Sequence, residues 1–437
     1  MRLLKHPSWI IASWVLGLSG CAPYQPLPLP KGIGATAIHE DAAPMTVAAV
    51  VSAVLVDNPD LRAARTQHRV AEAQRRQAGV MPDPTLSGAL LPLLAGAGSS
   101  LAWNASLSAD LRGIVSLRAR RAGAKAAFEQ VDAQLLWQEW QTASQAQLLA
   151  VQIIEGEQAL AALRQTQALF AARSARLQRA LAEGNVTLQT TAPDLAALQS
   201  ARAQVDAAER TQLSRRHQLN ALLGCEADAP LPLAARADLP PLDIDQIDRL
   251  AAEMARRRPD LIALRLGYQA QEAKTRVAVL MQFPLLNLGV AGGSDNSNVR
   301  NGGPQFTLAV PIFDGNRGDV AVQTATRAQL RAEYQARLLA AYGQIRAAVT
   351  ELKAAEGQLA VLRTDLPAVE RAAEQAQGAF NTGALDELAY VDLVGARAAK
   401  AGEIIALEQI VLEQRAALVA IVGVGLPSID QLPDIAP

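Results

Sequence analysis

Aromatic residues are scarce, 4% of the 437-residue chain, although 50% of it is hydrophobic, and the apolar character comes from alanine and leucine. That excludes a core built on large aromatic anchors and favours slim helices packed side by side. Cysteine is nearly absent: Cys21 and Cys225 are the only two, which leaves no disulfide framework, and Cys225, after Leu222-Leu223-Gly224, reads as a small buried thiol at a helix end. Only His39, His68 and His217 lie beyond the first few residues, with no paired spacing, so no metal-ligand set is indicated. A formal charge of −1 gives no general attraction for nucleic acid or anionic lipid. A nucleophile, a phosphate loop and an acid–base constellation are also missing, which points away from an enzyme and from any cofactor.

The N-terminus carries a targeting signal. Arg2 and Lys5 precede an apolar run from Trp9 to about Leu18, too short to span a bilayer but suited to the core of a secretory signal. Leu18-Ser19-Gly20-Cys21 is similar to a bacterial lipoprotein cleavage box, which makes residues 1–20 the signal peptide and Cys21 the acylated first residue. The alternative is ordinary secretory cleavage with Cys21 incidental. Residues 21–45, with the proline-rich stretch Pro23 to Pro30, read as an extended segment.

The rest divides into two similar halves, 46–225 and 247–425, with a crossing linker at 226–246 rich in Pro, Ala and Asp and a proline-rich tail at 426–437. Asn58-Pro59-Asp60-Leu61 returns as Arg258-Pro259-Asp260-Leu261, each a helix start with proline in the first turn and aspartate at the positive helix end. These helices are predicted to stop near Met81-Pro82-Asp83-Pro84 and Phe283-Pro284. A β-hairpin follows in each half, at about 84–112 and 284–313. In the first, Leu101, Trp103, Ala105, Leu107, Ala109 and Leu111 alternate with Ala102, Asn104, Ser106, Ser108 and Asp110 around a loop at Ala95 to Ser100. In the second, Leu286, Leu288 and Val290 lead into a glycine-rich loop from Gly292 to Pro304, and Phe306, Leu308, Val310 and Ile312 share one face of the return strand. Asp295-Asn296-Ser297-Asn298 in that loop lacks the later acidic ligand of a calcium loop and reads as a polar tip.

Long helical patterns come next, from about Val115 to Glu183 and from Gly318 to Thr382, each ~100 Å at 1.5 Å per residue, with a kink predicted near Pro367. Gly184-Asn185 and Gly383-Ala384 then reverse the chain into a second helix that ends at Leu219 to Gly224 or Leu418 to Gly423. The paired landmarks lie about 200 residues apart throughout, which marks a duplication. The short helix before each hairpin and the one after each tip together roughly match the long helix in length, so they can stack end to end beside it. Trp137 and Trp140 read as groove packing.

The fold class is therefore mainly α with membrane β. Four strands of membrane-crossing length with alternating faces cannot close alone, and open edges in lipid cost several kcal/mol per unpaired group. Two, three or four copies would give eight, twelve or sixteen strands. Two soluble hairpins capping a helical bundle are the alternative.

With the paired Asn58-Pro59-Asp60-Leu61 and Arg258-Pro259-Asp260-Leu261, the run Arg76 to Pro84, the turn Pro311-Ile312-Phe313-Asp314-Gly315 and the tip Gly383 to Asp392, the chain resembles a TolC-family outer membrane efflux protein, within it the lipidated, metal-efflux-associated branch of CzcC and CusC. The resemblance implies a homotrimer in the cell outer membrane, with one twelve-stranded barrel continued by a periplasmic helical tunnel. It implies a passive duct that docks a periplasmic adaptor and an inner-membrane RND-type pump. It places a lumen carboxylate of the periplasmic gate at Asp392 and Ala389 where the family has a second aspartate; a solvated helix face is the other reading of Asp392. The adaptor would meet the tips, Glu183, Gly184, Asn185 and Val186 in the first half and Thr382, Gly383, Ala384 and Leu385 in the second. Heavy-metal cations are one substrate class and drugs or other small molecules another. A periplasmic adaptor would have one helical hairpin rather than two equal halves, and a structural coiled-coil lipoprotein would leave the four strands without purpose.

Overall fold

A computed structural model of the chain describes residues 24–29, 32, 43–95, 98, 100–239 and 242–423. The signal peptide, Cys21 and the tail at 426–437 lie outside the described residues. Residues 24–29 are exposed and without regular structure.

Each half has the predicted order. The first consists of α1 (Val47–Asp57), α2 (Pro59–Ala78), β1 (Thr85–Leu91), β2 (Ala102–Asp110), α3 (Leu111–Ala182) and α4 (Leu188–Leu222). The second consists of α5 (Ile244–Ala252), α6 (Met254–Arg257), α7 (Pro259–Leu280), β3 (Leu285–Ser294), β4 (Arg300–Ala309), α8 (Arg317–Asn381) and α9 (Glu387–Val422). The helices α1, α5 and α6 are additional to the elements expected from the sequence. α3 has 72 residues and α8 has 65, so they are about 110 and 100 Å long. α8 runs through Pro367, as its predicted length requires.

The strands form one antiparallel sheet in the order β1-β2-β3-β4, so the two hairpins join through β2 and β3. Three strand limits differ from the sequence reading. The long helix of the first half starts at Leu111, not Val115, because it follows β2 without a loop. The second loop is short, since Gly292, Gly293, Gly302 and Gly303 are paired within the ladder, Gly292 opposite Gly302. The return strand ends at Ala309, before Pro311, which has no N–H to donate, so Val310 and Ile312 lie beyond it. Glycine is a requirement at position 289 of β3: a Cβ there would stand 2.1 Å from the Leu107 carbonyl oxygen of β2.

Long and short helices pack as the lengths suggested. α3 lies against α1, α2 and α4 of its own half and against α7 and α9 of the other, while α8 lies against α7 and α9. The short helices meet end to end through buried polar side chains. Asn58 accepts from the Leu61 N–H and donates to the Leu222 carbonyl, joining the start of α2 to the end of α4. In the second half Arg258 holds Asp260 through two hydrogen bonds of 2.9 and 3.0 Å and donates to the Ile421 carbonyl, joining α7 to α9. Trp140 donates to the Ala420 carbonyl and Trp137 lies under the Arg258 guanidinium, which confirms both as packing residues.

Ion pairs repeat with the duplication. Arg164–Glu209 and Arg216–Glu157 cross from α3 to α4, and Arg363–Glu408 and Arg415–Glu356, about 200 residues later, cross from α8 to α9 in the same positions. Among the described residues, the two largest apolar clusters lie between the helices. One includes Val50, Val54, Ile153, Ile154, Leu219 and Leu231, and the other Ile247, Leu261, Ile345, Leu352 and Leu418. The linker is strapped to the first: Met45 and Leu233 form a parallel bridge, and the Ala237 N–H donates to Glu155 on α3.

Two outcomes follow from this packing. Gly289→Val will break the β2–β3 ladder and lower stability by about 1–3 kcal/mol or more, read as a fall in Tm of the detergent-extracted protein. Gly303→Ala, where nothing lies within 4 Å, will leave Tm unchanged. Glu155 is buried, and its pKa is raised by desolvation first, with Glu408 adding to the rise and the Ala237 N–H and Arg236 opposing it. The folded state therefore holds this proton more tightly than the unfolded chain. The resulting stability is complete below the unfolded pKa and is lost as pH rises through the higher folded value. Glu155→Gln will raise Tm at neutral pH relative to the parent and flatten its dependence on pH through that window.

Candidate functional site

Two regions have the features expected of a duct, the sheet at one end and the helix reversals at the other. The sheet is amphipathic across all four strands. Register places Leu86 opposite Leu107, Leu107 opposite Val290, Leu90 opposite Trp103 and Leu288 opposite Phe306, so large apolar residues line up on one face. The other face carries Ser87, Asn104, Ser106, Ser108, Asn287, Gln305 and Thr307, with the Ser87 and Ser106 hydroxyls in contact at 2.7 Å. The apolar face is bare: Leu90 is 71% exposed, Phe306 73% and Leu86 62%. Exposed apolar area of this extent on regular strands marks a surface that meets lipid or another chain. The outer edges of β1 and β4 have no strand partner among the described residues. No described helix is long and apolar enough to cross a membrane.

At the two hairpin loops, the Ser100 hydroxyl and N–H donate to the Asn296 carbonyl, and the Asn296 amide donates back to Ser100. Asp295, read from sequence as part of a polar tip, accepts from the Ser297 and Val299 N–H groups and so shapes the turn itself.

The opposite ends are built alike up to a point. Gly184 (φ +78°) and Gly383 (φ +74°) stand in the left-handed region that closes a helix. Asn185 donates from its N–H to the Ala180 carbonyl, and Ala384 donates to the Ala379 carbonyl. Glu183 and Asn185 bond side chain to side chain, Val186 is half-buried, and Thr382, Gly383 and Ala384 are exposed. Asp386 caps α9 by accepting from the Ala389 N–H.

The halves then diverge. Asp392 on α9 is held by the Arg173 guanidinium of α3 at 3.1 Å, and the same guanidinium reaches Asp194 on α4 at 2.7 Å. The Arg173 side chain is 7% exposed, and Asp392 is 66% exposed. Three helices from both halves thus meet at one buried cation. Asp392 has a partner inside its own chain, which neither sequence reading of it contained. Arg173 and Asp194 were missed altogether. Their sequence signal is weak: the positions equivalent by the duplication are Ala372 and Leu393, and Asp392 itself matches Pro193. The second tip also has a stacked pair, Phe380 on Tyr390 with ring centroids 4.6 Å apart, and the Tyr390 hydroxyl bonds Gln377. Leu181 and Thr191 hold the matching positions of the first tip.

Comparison with known proteins agrees with this architecture. Residues 250–424 match the family model described as outer membrane efflux protein. The outer membrane protein OprJ of Pseudomonas aeruginosa is 25% identical over 243 residues, 53% of this chain and 51% of OprJ, so the chain spans about half the length of that curated relative. Among solved structures, CusC is similar with a TM-score of 0.67 at 17% identity, covering 92% of this chain and 99% of CusC. VceC of Vibrio cholerae has a TM-score of 0.71 at 16% identity, covering 86% and 96%. The second half of the chain therefore matches the outer membrane efflux protein family, and the described chain shares the fold of CusC and VceC.

Proposed function

We propose that the protein is the outer membrane channel of a tripartite efflux system. Three copies would close their sheets into one twelve-stranded barrel and their helices into a periplasmic tunnel. The observation that carries this reading is the bare amphipathic sheet with two open edges set on helices of about 100 Å. Lipid stabilises the apolar face, water fills the polar side, and copies of the same chain supply the missing edge partners. The family match and the similarity to CusC and VceC support the same reading. A lipid on Cys21 would add a second attachment to the outer membrane.

The tips, Glu183 to Val186 and Thr382 to Leu385, would dock a periplasmic adaptor, which in turn would connect to an inner-membrane RND-type pump. Both tips are largely exposed, and the N–H groups of Glu183, Gly184, Asn185, Thr382, Gly383, Ala384 and Leu385 bond within the turns, so the tips can meet a partner without refolding. Heavy-metal cations are one substrate class for such a duct, and drugs or other small molecules suit it equally. Transport would need no coordinating site in the wall.

The gate is assigned to Asp392 together with its partners. Arg173 ties the start of α9 to α3 and α4, and with its own charge balanced by Asp194 it leaves most of the Asp392 carboxylate in water. Three such carboxylates around an axis would concentrate cations at the narrow end. Breaking the buried pair would free the second tip to move away from the first.

The test is recording in planar bilayers. Wild type is expected to give small cation-selective openings with block by divalent cations. Arg173→Ala is expected to raise single-channel conductance severalfold, and Asp392→Ala to do the same while reducing cation selectivity and divalent block. Unchanged selectivity and block in Asp392→Ala would remove it from the gate, and absence of any conductance in the wild type would overturn the duct itself.

A further inference from the structure

The four junctions between strands and helices share a pattern that the overall charge of −1 conceals. At each junction an exposed large apolar residue stands three or four positions to the sheet side of an exposed arginine along the chain. The pairs are Val80 with Arg76 on α2, Ile114 with Arg118 on α3, Val279 with Arg276 on α7, and Phe313 with Arg317 on α8. α2 and α7 run toward the sheet and α3 and α8 run away from it, so the order of the two residues in sequence reverses while their order in space is kept.

These arginines have little to do within the protomer. Arg118, Arg276 and Arg317 have no side-chain hydrogen bond or ion pair among the described residues, and Arg76 holds only Glu72, one turn away, with its own side chain 75% exposed. Arg317 occupies the first position of α8, where a cation works against the helix dipole. Helix stability does not explain that placement. The duplication keeps the four arginines, Arg76 matching Arg276 and Arg118 matching Arg317, although neighbouring positions have diverged: Gly113 against Ile312, Arg120 against Asp319 and Arg121 against Val320.

We propose that Arg76, Arg118, Arg276 and Arg317 form a band that binds the phosphates of anionic phospholipid in the periplasmic leaflet. The proposal rests on the reading above that the sheet spans the outer membrane. Bilayer dimensions agree: a headgroup layer occupies roughly 5–7 Å on each side of the hydrocarbon, and one helical turn is about 5.4 Å. Apolar Val80, Ile114, Val279 and Phe313 then sit at the acyl boundary, and the guanidinium groups sit at phosphate depth, where they can donate two hydrogen bonds to one phosphate. The exposed apolar neighbours decide the side. Phe313, 96% exposed, has no reason to stand in a water-filled lumen.

The experiment reconstitutes the full chain in phosphatidylcholine vesicles containing a trace of spin-labelled phosphatidylglycerol or spin-labelled phosphatidylcholine, and measures the relative association of each with the protein. Conductance is recorded on the same preparations. Each cation near a charged lipid surface contributes about a fivefold preference, so wild type is expected to favour phosphatidylglycerol severalfold, less so at raised salt. The variant R76Q/R118Q/R276Q/R317Q is expected to bring the ratio close to one with conductance and ion selectivity unchanged, and replacement of all four by lysine is expected to retain most of the preference. An equal association of both lipids with a conducting wild type would overturn the lipid band alone. So would a glutamine variant that keeps the preference, or one that instead shifts ion selectivity, which would place the arginines in the lumen. A wild type that neither inserts nor conducts would overturn the membrane reading and the band together.

Discussion

The antiparallel ladder between β2 and β3 is the constraint on which the rest of the structure depends. It joins the two hairpins into one four-stranded sheet, where each two-stranded hairpin alone would be marginal. The close approach at Gly289 lets the backbones meet, and the pairing then brings α3 alongside α7 because α3 follows β2 directly and α7 leads into β3. α3 thereby touches both halves, as α7 and α9 do in turn. The end-to-end joints at Asn58 and Arg258 complete the geometry by letting two short helices act as one partner for a long one.

Where the halves agree and where they differ separates scaffold from mechanism. The Arg–Glu pairs across each hairpin and the left-handed glycines at each tip occur twice, as parts that serve any helical hairpin of this length. The Arg173 cluster and the Phe380–Tyr390 stack occur once, at the tips, and the cluster links one half to the other. This asymmetric link ties one hairpin to the other, while the repeated pairs hold each hairpin together.

Much of the fold was legible in the sequence because the periods are strong. Alternation from Leu101 to Leu111 placed β2, the proline-bearing starts at Pro59 and Pro259 placed α2 and α7, and Gly184 and Gly383 placed the reversals. The second hairpin was less legible, since Gly292, Gly293, Gly302 and Gly303 look like a loop and pair only because the neighbouring strands impose the register. The tips were legible as turns from their glycines alone. The Arg173 link was not, because Asp392 lies about 200 residues from Arg173 and Asp194 and the duplication leaves no copy to compare. The arginine band shows only once the strand–helix junctions fix which residues share a depth.

Closure of the open β1 and β4 edges by other copies of the chain is the central claim, and the stoichiometry of the protein extracted from the outer membrane tests it most directly. Native mass spectrometry after mild detergent extraction is predicted to find three copies of the chain per particle. A monomer under conditions that keep its conductance and its sheet intact would contradict it.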